Sequence, residues 1–163
     1  MGWDHGAFER CFRERYPELV QVLHGLSGDR ATAEDLTQEA FARLWRRGPV
    51  ERPAADYWVF RVGRNLALDW LKAEGRRNHR ETIAPAPETS EPPFSEEMVE
   101  HVRAVVKQLP ARDREVLLLR EFTGLSYNEI AAVVRRSENV VKQDLFRARE
   151  RLRRAWQQRY GGE

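Results

Sequence analysis

At 163 residues the chain is sized for one domain or two small ones, which excludes a large multidomain enzyme. Hydrophobic residues make up 41% and charged residues 33%, enough for a core with wet outer faces, while 28 Lys and Arg against 26 Asp and Glu leave a net charge of +2 that cannot by itself mark a nucleic-acid binder. Cys11 is the only cysteine and nothing approaches ~18 consecutive apolar residues, so an intrachain disulfide, a multi-thiolate metal site and a membrane span are excluded and a soluble, cytoplasmic protein without direct membrane contact is expected.

Apolar positions recur at three and four residues rather than two, which predicts an all-α chain. A first helical stretch spans Asp4 to Arg15 with Phe8 and Phe12 on one face; Pro17 fits the first turn of a continuation carrying Leu19, Val20 and Leu23, which Gly25 and Gly28 end. A second helix runs from about Thr32 to Arg47 with Leu36, Ala40, Phe41 and Leu44 as its buried stripe, stopped by Gly48 and Pro49. A third runs from near Pro53 to about Glu74, burying Val59, Val62, Leu66 and Trp70, with a basic and aromatic opposite face.

From Glu81 to Glu100 the composition changes: Pro85, Pro87, Pro92 and Pro93 stand among six glutamates with no Lys or Arg. This predicts a flexible, acidic, Pro-rich linker over 79–94 between a domain at 1–78 and another at 95–163. In the second domain Ser95 caps a helix to Gln108, Pro110 opens one ending at Gly124, and Ser126 with Glu129 forms a capping box. After a break at Arg135 to Ser137, Ser137 caps a long last helix to about Gln158. The short helix, break and longer helix have the pattern of a helix-turn-helix, whose second helix can enter the major groove of DNA.

The charge is segregated. Residues 60–80 hold six Arg and Lys against two acids, and residues 135–160 hold nine against three. The six glutamates of residues 81–100 mask much of both patches in the total, and one basic patch per domain suits an extended polyanion. On and just before the last helix, Arg136, Glu138, Asn139, Lys142, Gln143 and Arg147 lie at or near the outward surface, where such residue types reach phosphates or base edges. On the third, Tyr57, Trp58 and Phe60 sit one turn before Arg61, Arg64 and Asn65; rings stack on unpaired bases and guanidinium groups hold the backbone, although aromatics on an amphipathic helix are more commonly core.

Three stretches together resemble the short two-domain extracytoplasmic-function (ECF) class of bacterial RNA polymerase sigma factors. Ala33 to Trp45 is similar to the polymerase-docking helix of that family, and Trp58 to Lys72 to the segment that recognises and melts the minus-ten element. Leu109-Pro110, Arg114 to Val116, Gly124 to Ala131 and Arg147 to Leu152 resemble the domain that reads the minus-thirty-five element. The resemblance implies that Asp35, Leu36, Gln38, Glu39 and Phe41 bind core polymerase, which offers its beta-prime clamp and beta flap to the family. Asp35, Gln38 and Glu39 share one helix face, which suits basic residues on a partner.

It likewise implies that Trp58, Arg61, Arg64, Asn65, Asp69 and Lys72 hold the minus-ten strand, where capture of an unstacked base drives melting by binding. Arg136, Ser137, Glu138, Asn139, Lys142, Gln143 and Arg147 would read the minus-thirty-five duplex. Implied partners are core RNA polymerase, double- and single-stranded promoter DNA and a cognate anti-sigma factor. The chain departs from the family where Arg135 and Arg136 replace the usual glycine and aliphatic residue of the turn, and at Val140, Gln143 and Asp144; a carboxylate near phosphates repels unless an arginine pairs with it. His5, His24, His79 and His101 are scattered and no metal-ligand motif or phosphate loop occurs, so no enzyme activity, cofactor or metal is expected. Cys11 reads as a buried, inert thiol. The competing reading is a sigma-like decoy or helical interaction protein that binds polymerase or a regulator without initiating transcription.

Overall fold

Seven helices account for the secondary structure in the computed structural model, which describes residues 3–75 and 95–161: α1 His5–Ser27, α2 Arg30–Arg47, α3 Ala54–Gly75, α4 Glu96–Gln108, α5 Ala111–Thr123, α6 Tyr127–Val134 and α7 Glu138–Tyr160. Among the described residues there is no strand. The expected linker at 79–94 lies outside them.

Local chemistry sets most boundaries. The Asp4 carboxylate accepts from the Gly6 N–H to start α1, and Gly28, left-handed at φ 78°, closes it by donating to the His24 carbonyl. The expected interruption at Pro17 is absent, and α1 continues through Pro17 and Gly25 as one helix of 23 residues. Pro17 and Arg13, four residues earlier, both lie on the exposed side of the helix, where water can solvate the carbonyl that the missing N–H leaves free. Gly25 serves packing rather than termination, because a Cβ there would lie 2.5 Å from a Leu118 methyl of α5.

On α2 the buried residues are Ala33, Thr37, Ala40, Phe41 and Leu44, and Leu36 is half-buried at the edge of that stripe. The stripe of α3 is rotated from the expected one. Ala55, Asp56, Val59, Phe60, Gly63 and Ala67 face the core, while Val62, Leu66 and Trp70 are half-buried. The small residues decide this: a Cβ on Gly63 would meet Leu19 of α1 at 2.9 Å, so the helices approach closely along the Gly63–Ala67 line and the larger side chains flank it.

In the second module, Ser126 and Glu129 make the expected capping box, Ser95 caps α4 and Ser137 caps α7. Leu117, Leu118 and Leu119 are all buried, at no more than 5% exposure. Three consecutive helical residues sweep about 200° of azimuth, so no single neighbour can cover them. Helix α5 is covered on both sides because it lies between α1 of the first module and α6 and α7 of its own. Burying a leucine contributes about 1.5–3 kcal/mol, which makes the junction a substantial apolar interface. One continuous core therefore runs from Trp3 and Phe41 through Leu19 and Phe60 to Val116, Ile130 and Leu145.

Candidate nucleic-acid and polymerase interface

The docking face expected on α2 is polar outside and aromatic beneath. Asp35 and Gln38 are exposed, and the Gln38 amide donates to the Tyr16 hydroxyl at 3.4 Å. Glu39 accepts from Arg43 at 2.9 Å and Arg46 at 3.2 Å, and the Arg43 hydrogen bond foremost holds its carboxyl below the usual range. Phe41 is 2% exposed, so it cannot itself present a contact surface; it supports the face from below, with its ring 5.1 Å from that of Phe12. The apolar groups that do reach the surface here are Phe12 and Trp45, and Phe8 stacks edge-on against Trp45 at 4.9 Å. Their signal in the sequence was the Phe8, Phe12 pair at one helical turn from each other.

On α3, Asn65, Asp69 and Lys72 are exposed, while Trp58, Arg61 and Arg64 are half-buried. The Arg47 guanidinium lies 5.9 Å from the centre of the Trp58 ring. Phe60 is wholly buried and belongs to the core. Arg61 and Arg64 are engaged across the module junction. Arg64 forks onto Glu115 of α5, with Nε at 2.6 Å from Oε2 and Nη2 at 3.0 Å from Oε1. Arg61 donates through Nη2 to the Ala132 carbonyl at 2.6 Å, and the Tyr57 hydroxyl donates to Glu129 at 2.9 Å.

In the second module α6, the turn and α7 form the expected helix-turn-helix. Arg135 takes the glycine's role by adopting the left-handed region at φ 56°, ψ 46°, a conformation costing about 1–2 kcal/mol for a side-chain-bearing residue. Its own N–H and that of Arg136 both donate to the Ala131 carbonyl, which offsets part of that cost. Glu138, Asn139, Lys142 and Gln143 are exposed on α7, with Lys142 3.5 Å from Glu138; Ser137 is exposed but commits its hydroxyl oxygen to the Val140 N–H.

Arg136 departs from the outward placement that the sequence suggested, and Asp144 has the arginine pairing without which a carboxylate here would repel phosphates. The Arg136 side chain is only 16% exposed and turns inward, pairing with Glu115 and Asp144. Asp144 is fully buried and also takes Arg147 and Arg112, the latter at 3.3 Å. Arg147 is half-exposed and reaches Asp113 at 3.2 Å; that hydrogen bond foremost raises its basicity. Asp113, Glu115 and Asp144, each at most 2% exposed, thus sit among Arg64, Arg112, Arg136 and Arg147. Such burial requires pairing, since an isolated buried carboxylate would cost several kcal/mol. Sequence reasoning missed Asp113 and Glu115 because acids in an Ala-Arg-Asp-Arg-Glu run read as solvated, and nothing local shows that Asp113 meets Arg147 of α7 or that Glu115 meets Arg136 and, from the first module, Arg64.

Elsewhere, the buried Cys11 thiol donates to Asp56 at 3.3 Å, and burial foremost, with that bond, pushes its pKa up to about 12. Among the described residues, no group of three or more His, Cys, Asp or Glu is placed to hold a metal ion, and no helix is long and apolar enough to cross a membrane.

Residues 11–77 match the family described as Sigma-70 region 2, and residues 100–152 match Sigma-70, region 4. The chain is 30% identical to the RNA polymerase sigma-H factor of Pseudomonas aeruginosa, over 94% of this chain and 88% of that protein. It is 33% identical to the ECF RNA polymerase sigma-E factor of Escherichia coli K12, over 85% of this chain and 81% of that one. Among solved structures, the sigma factor RpoE in complex with the anti-sigma factor NepR from Bartonella quintana has the same fold, with a TM-score of 0.76, 23% identity and coverage of 92% of this chain and 96% of that chain. With its region 2 helices followed by a region 4 helix-turn-helix, the chain belongs to the sigma-70 family of RNA polymerase sigma factors, in the ECF class.

Proposed function

We propose that the chain is a dissociable promoter-specificity subunit whose two modules, 1–78 and 95–163, engage polymerase and the two promoter elements from either side of the 79–94 connection. The α2 face, with Asp35, Gln38 and Glu39 outward, Leu36 at its edge and Phe41 beneath, docks on the beta-prime clamp. On α3, Trp58, Arg61, Arg64, Asn65, Asp69 and Lys72 hold the minus-ten strand. The second module meets the beta flap and reads the minus-thirty-five duplex through Glu138, Asn139, Lys142, Gln143 and Arg147, with Ser137 capping the reading helix. Arg136 acts behind that helix instead of on DNA. The observation that carries the reading is one basic helix face in each of two modules of this family, the first continuing past an acidic and aromatic docking face.

Melting needs no catalytic group in this account: unstacking a base costs a few kcal/mol, and stacking plus charge-assisted hydrogen bonds supply it. The subunit is accordingly non-enzymatic, uses no cofactor, works in the cytoplasm and is held off by a cognate anti-sigma factor. The test is co-purification with core RNA polymerase, followed by permanganate footprinting on a promoter library. Binding with reactive thymines is expected. Binding without melting would favour a decoy, and absence of binding would overturn the reading.

A further inference from the structure

We infer that Arg112 and Arg147 form a clamp for a DNA backbone phosphate beside the reading face of α7, with the buried Asp144 as the positioning residue that holds both guanidinium groups. The inference rests on the proposed reading of α7 as the helix that meets the upstream duplex. It adds Arg112, at the start of α5, to the residues that touch DNA.

The two arginines reach one carboxylate oxygen from different helices. Arg112 Nε lies 3.3 Å from Asp144 Oδ1 and its Nη2 3.4 Å from Oδ2, while Arg147 Nη2 meets the same Oδ1 and lies 3.2 Å from Asp113 Oδ1. Donors remain on both: Nη1 of Arg112 and Nε and Nη1 of Arg147 make no hydrogen bond to the described residues. The Arg112 and Arg147 side chains are 55% and 46% exposed, whereas Asp113 and Asp144 are at most 2% exposed. Water and any ligand therefore meet the cations, with the acids beneath them. Arg147 stands one helical turn beyond the exposed Gln143, so the clamp adjoins the residues placed to read bases. Arg136 steadies the other side, donating through Nη1 to the Arg112 carbonyl at 3.3 Å.

A solvated arginine gives up rotamer freedom when it grips a phosphate. One already held by a buried carboxylate has given up most of it on folding, and its remaining planar donors are aimed in advance. The acid that departs from the family pattern at position 144 thus brings a second arginine, from α5, to the edge of the DNA face. A phosphate contact of this kind carries no sequence information but adds to the salt dependence of binding.

The test uses holoenzyme assembled on core bacterial polymerase and a promoter duplex recovered by footprinting, with its upstream element intact or scrambled, over a range of KCl concentrations. Arg112→Ala is expected to weaken binding about tenfold on both duplexes and to make the slope of log affinity against log salt shallower by about 0.9, the signature of one lost phosphate contact. Asp144 keeps Arg136 and Arg147 in that variant, so its fold is retained. Gln143→Ala should weaken only the intact duplex. Asp144→Asn should weaken both duplexes although it adds a positive charge; tighter binding would overturn the positioning role, and should this variant not fold, Arg112→Ala decides. An unchanged slope in Arg112→Ala, or a loss confined to the intact duplex, would overturn the clamp while leaving the reading of α7 in place. If neither Gln143→Ala nor scrambling the upstream element changes affinity, the reading of α7 fails and takes the clamp with it.

Discussion

Replacing Asp144 by alanine separates two accounts of this residue. If it lay unpaired on the groove-facing side of α7, removing a carboxylate near phosphates would leave stability unchanged and strengthen DNA binding. The structure instead buries it completely, between Arg136 at 16% exposure and the more exposed Arg112 and Arg147, at 55% and 46%. Removing one member of a buried pair costs about 3–5 kcal/mol when the remaining charge is left uncompensated. Here Arg136 keeps Glu115, which it must share with Arg64, and the other two arginines can turn to water, so the lower end applies, about 3 kcal/mol. For a chain of this length that corresponds to a fall in Tm of roughly 6–12 °C. Urea and thermal unfolding followed by far-ultraviolet circular dichroism would measure it, with exposed Asp35→Ala as a control expected within about 0.5 kcal/mol of wild type. An Asp144→Ala loss no larger than that of the control would refute the buried-cluster account.

Asn65→Ala should leave polymerase binding intact while reducing open-complex formation measured by permanganate reactivity, whereas Asp35→Lys should weaken co-purification with polymerase; equal loss in both assays would upset the division of labour between α2 and α3. Gly63→Val should cost about 1–3 kcal/mol in urea unfolding, because its Cβ would lie 2.9 Å from Leu19 at the α1–α3 crossing. With its pKa pushed up to about 12, Cys11 should resist Ellman's reagent at pH 8 in the native chain and react once denatured, and rapid native labelling would contradict its burial. Asp56 carries a pH signature: burial opposes its charge, but hydrogen bonds from Arg52 and Cys11 and the nearby Arg15 outweigh that and depress its carboxyl. A depressed folded-state pKa stabilises the fold at pH values above the ordinary carboxylate range, and the contribution is lost as pH falls through the folded value. Asp56→Asn should therefore flatten the acid limb of a stability-against-pH curve.

What the sequence made legible was what short-range chemistry decides. Caps at Ser95, Ser126 and Ser137 and the stop at Gly28 follow from residues within one helical turn of the boundary. The exposed candidates Asp35, Asn65, Asp69, Lys72, Asn139 and Gln143 were legible as the polar sides of amphipathic helices. The face of α3 was less so, because periodicity weighs large apolar residues, whereas Gly63 and Ala67 set the closest approach through the absence of bulk. Gly25 misled for the same reason: a glycine needed by a neighbour across the junction looks like a terminator when only its own helix is considered.

The departures at Arg136 and Asp144 are best understood together. Taken singly, an arginine in place of an apolar anchor weakens a turn, and an acid on a recognition helix repels DNA. Eight residues apart, on one buried side, they neutralise each other, and Arg136 has an arm left over for Glu115. That spare arm has a thermodynamic use. Glu115 buried beside Arg64 alone would depend on a contact with the first module, and losing that contact would strand its charge. With Arg136 in place, Glu115 keeps a partner within its own module besides Arg64, so its burial does not hang on the first module alone.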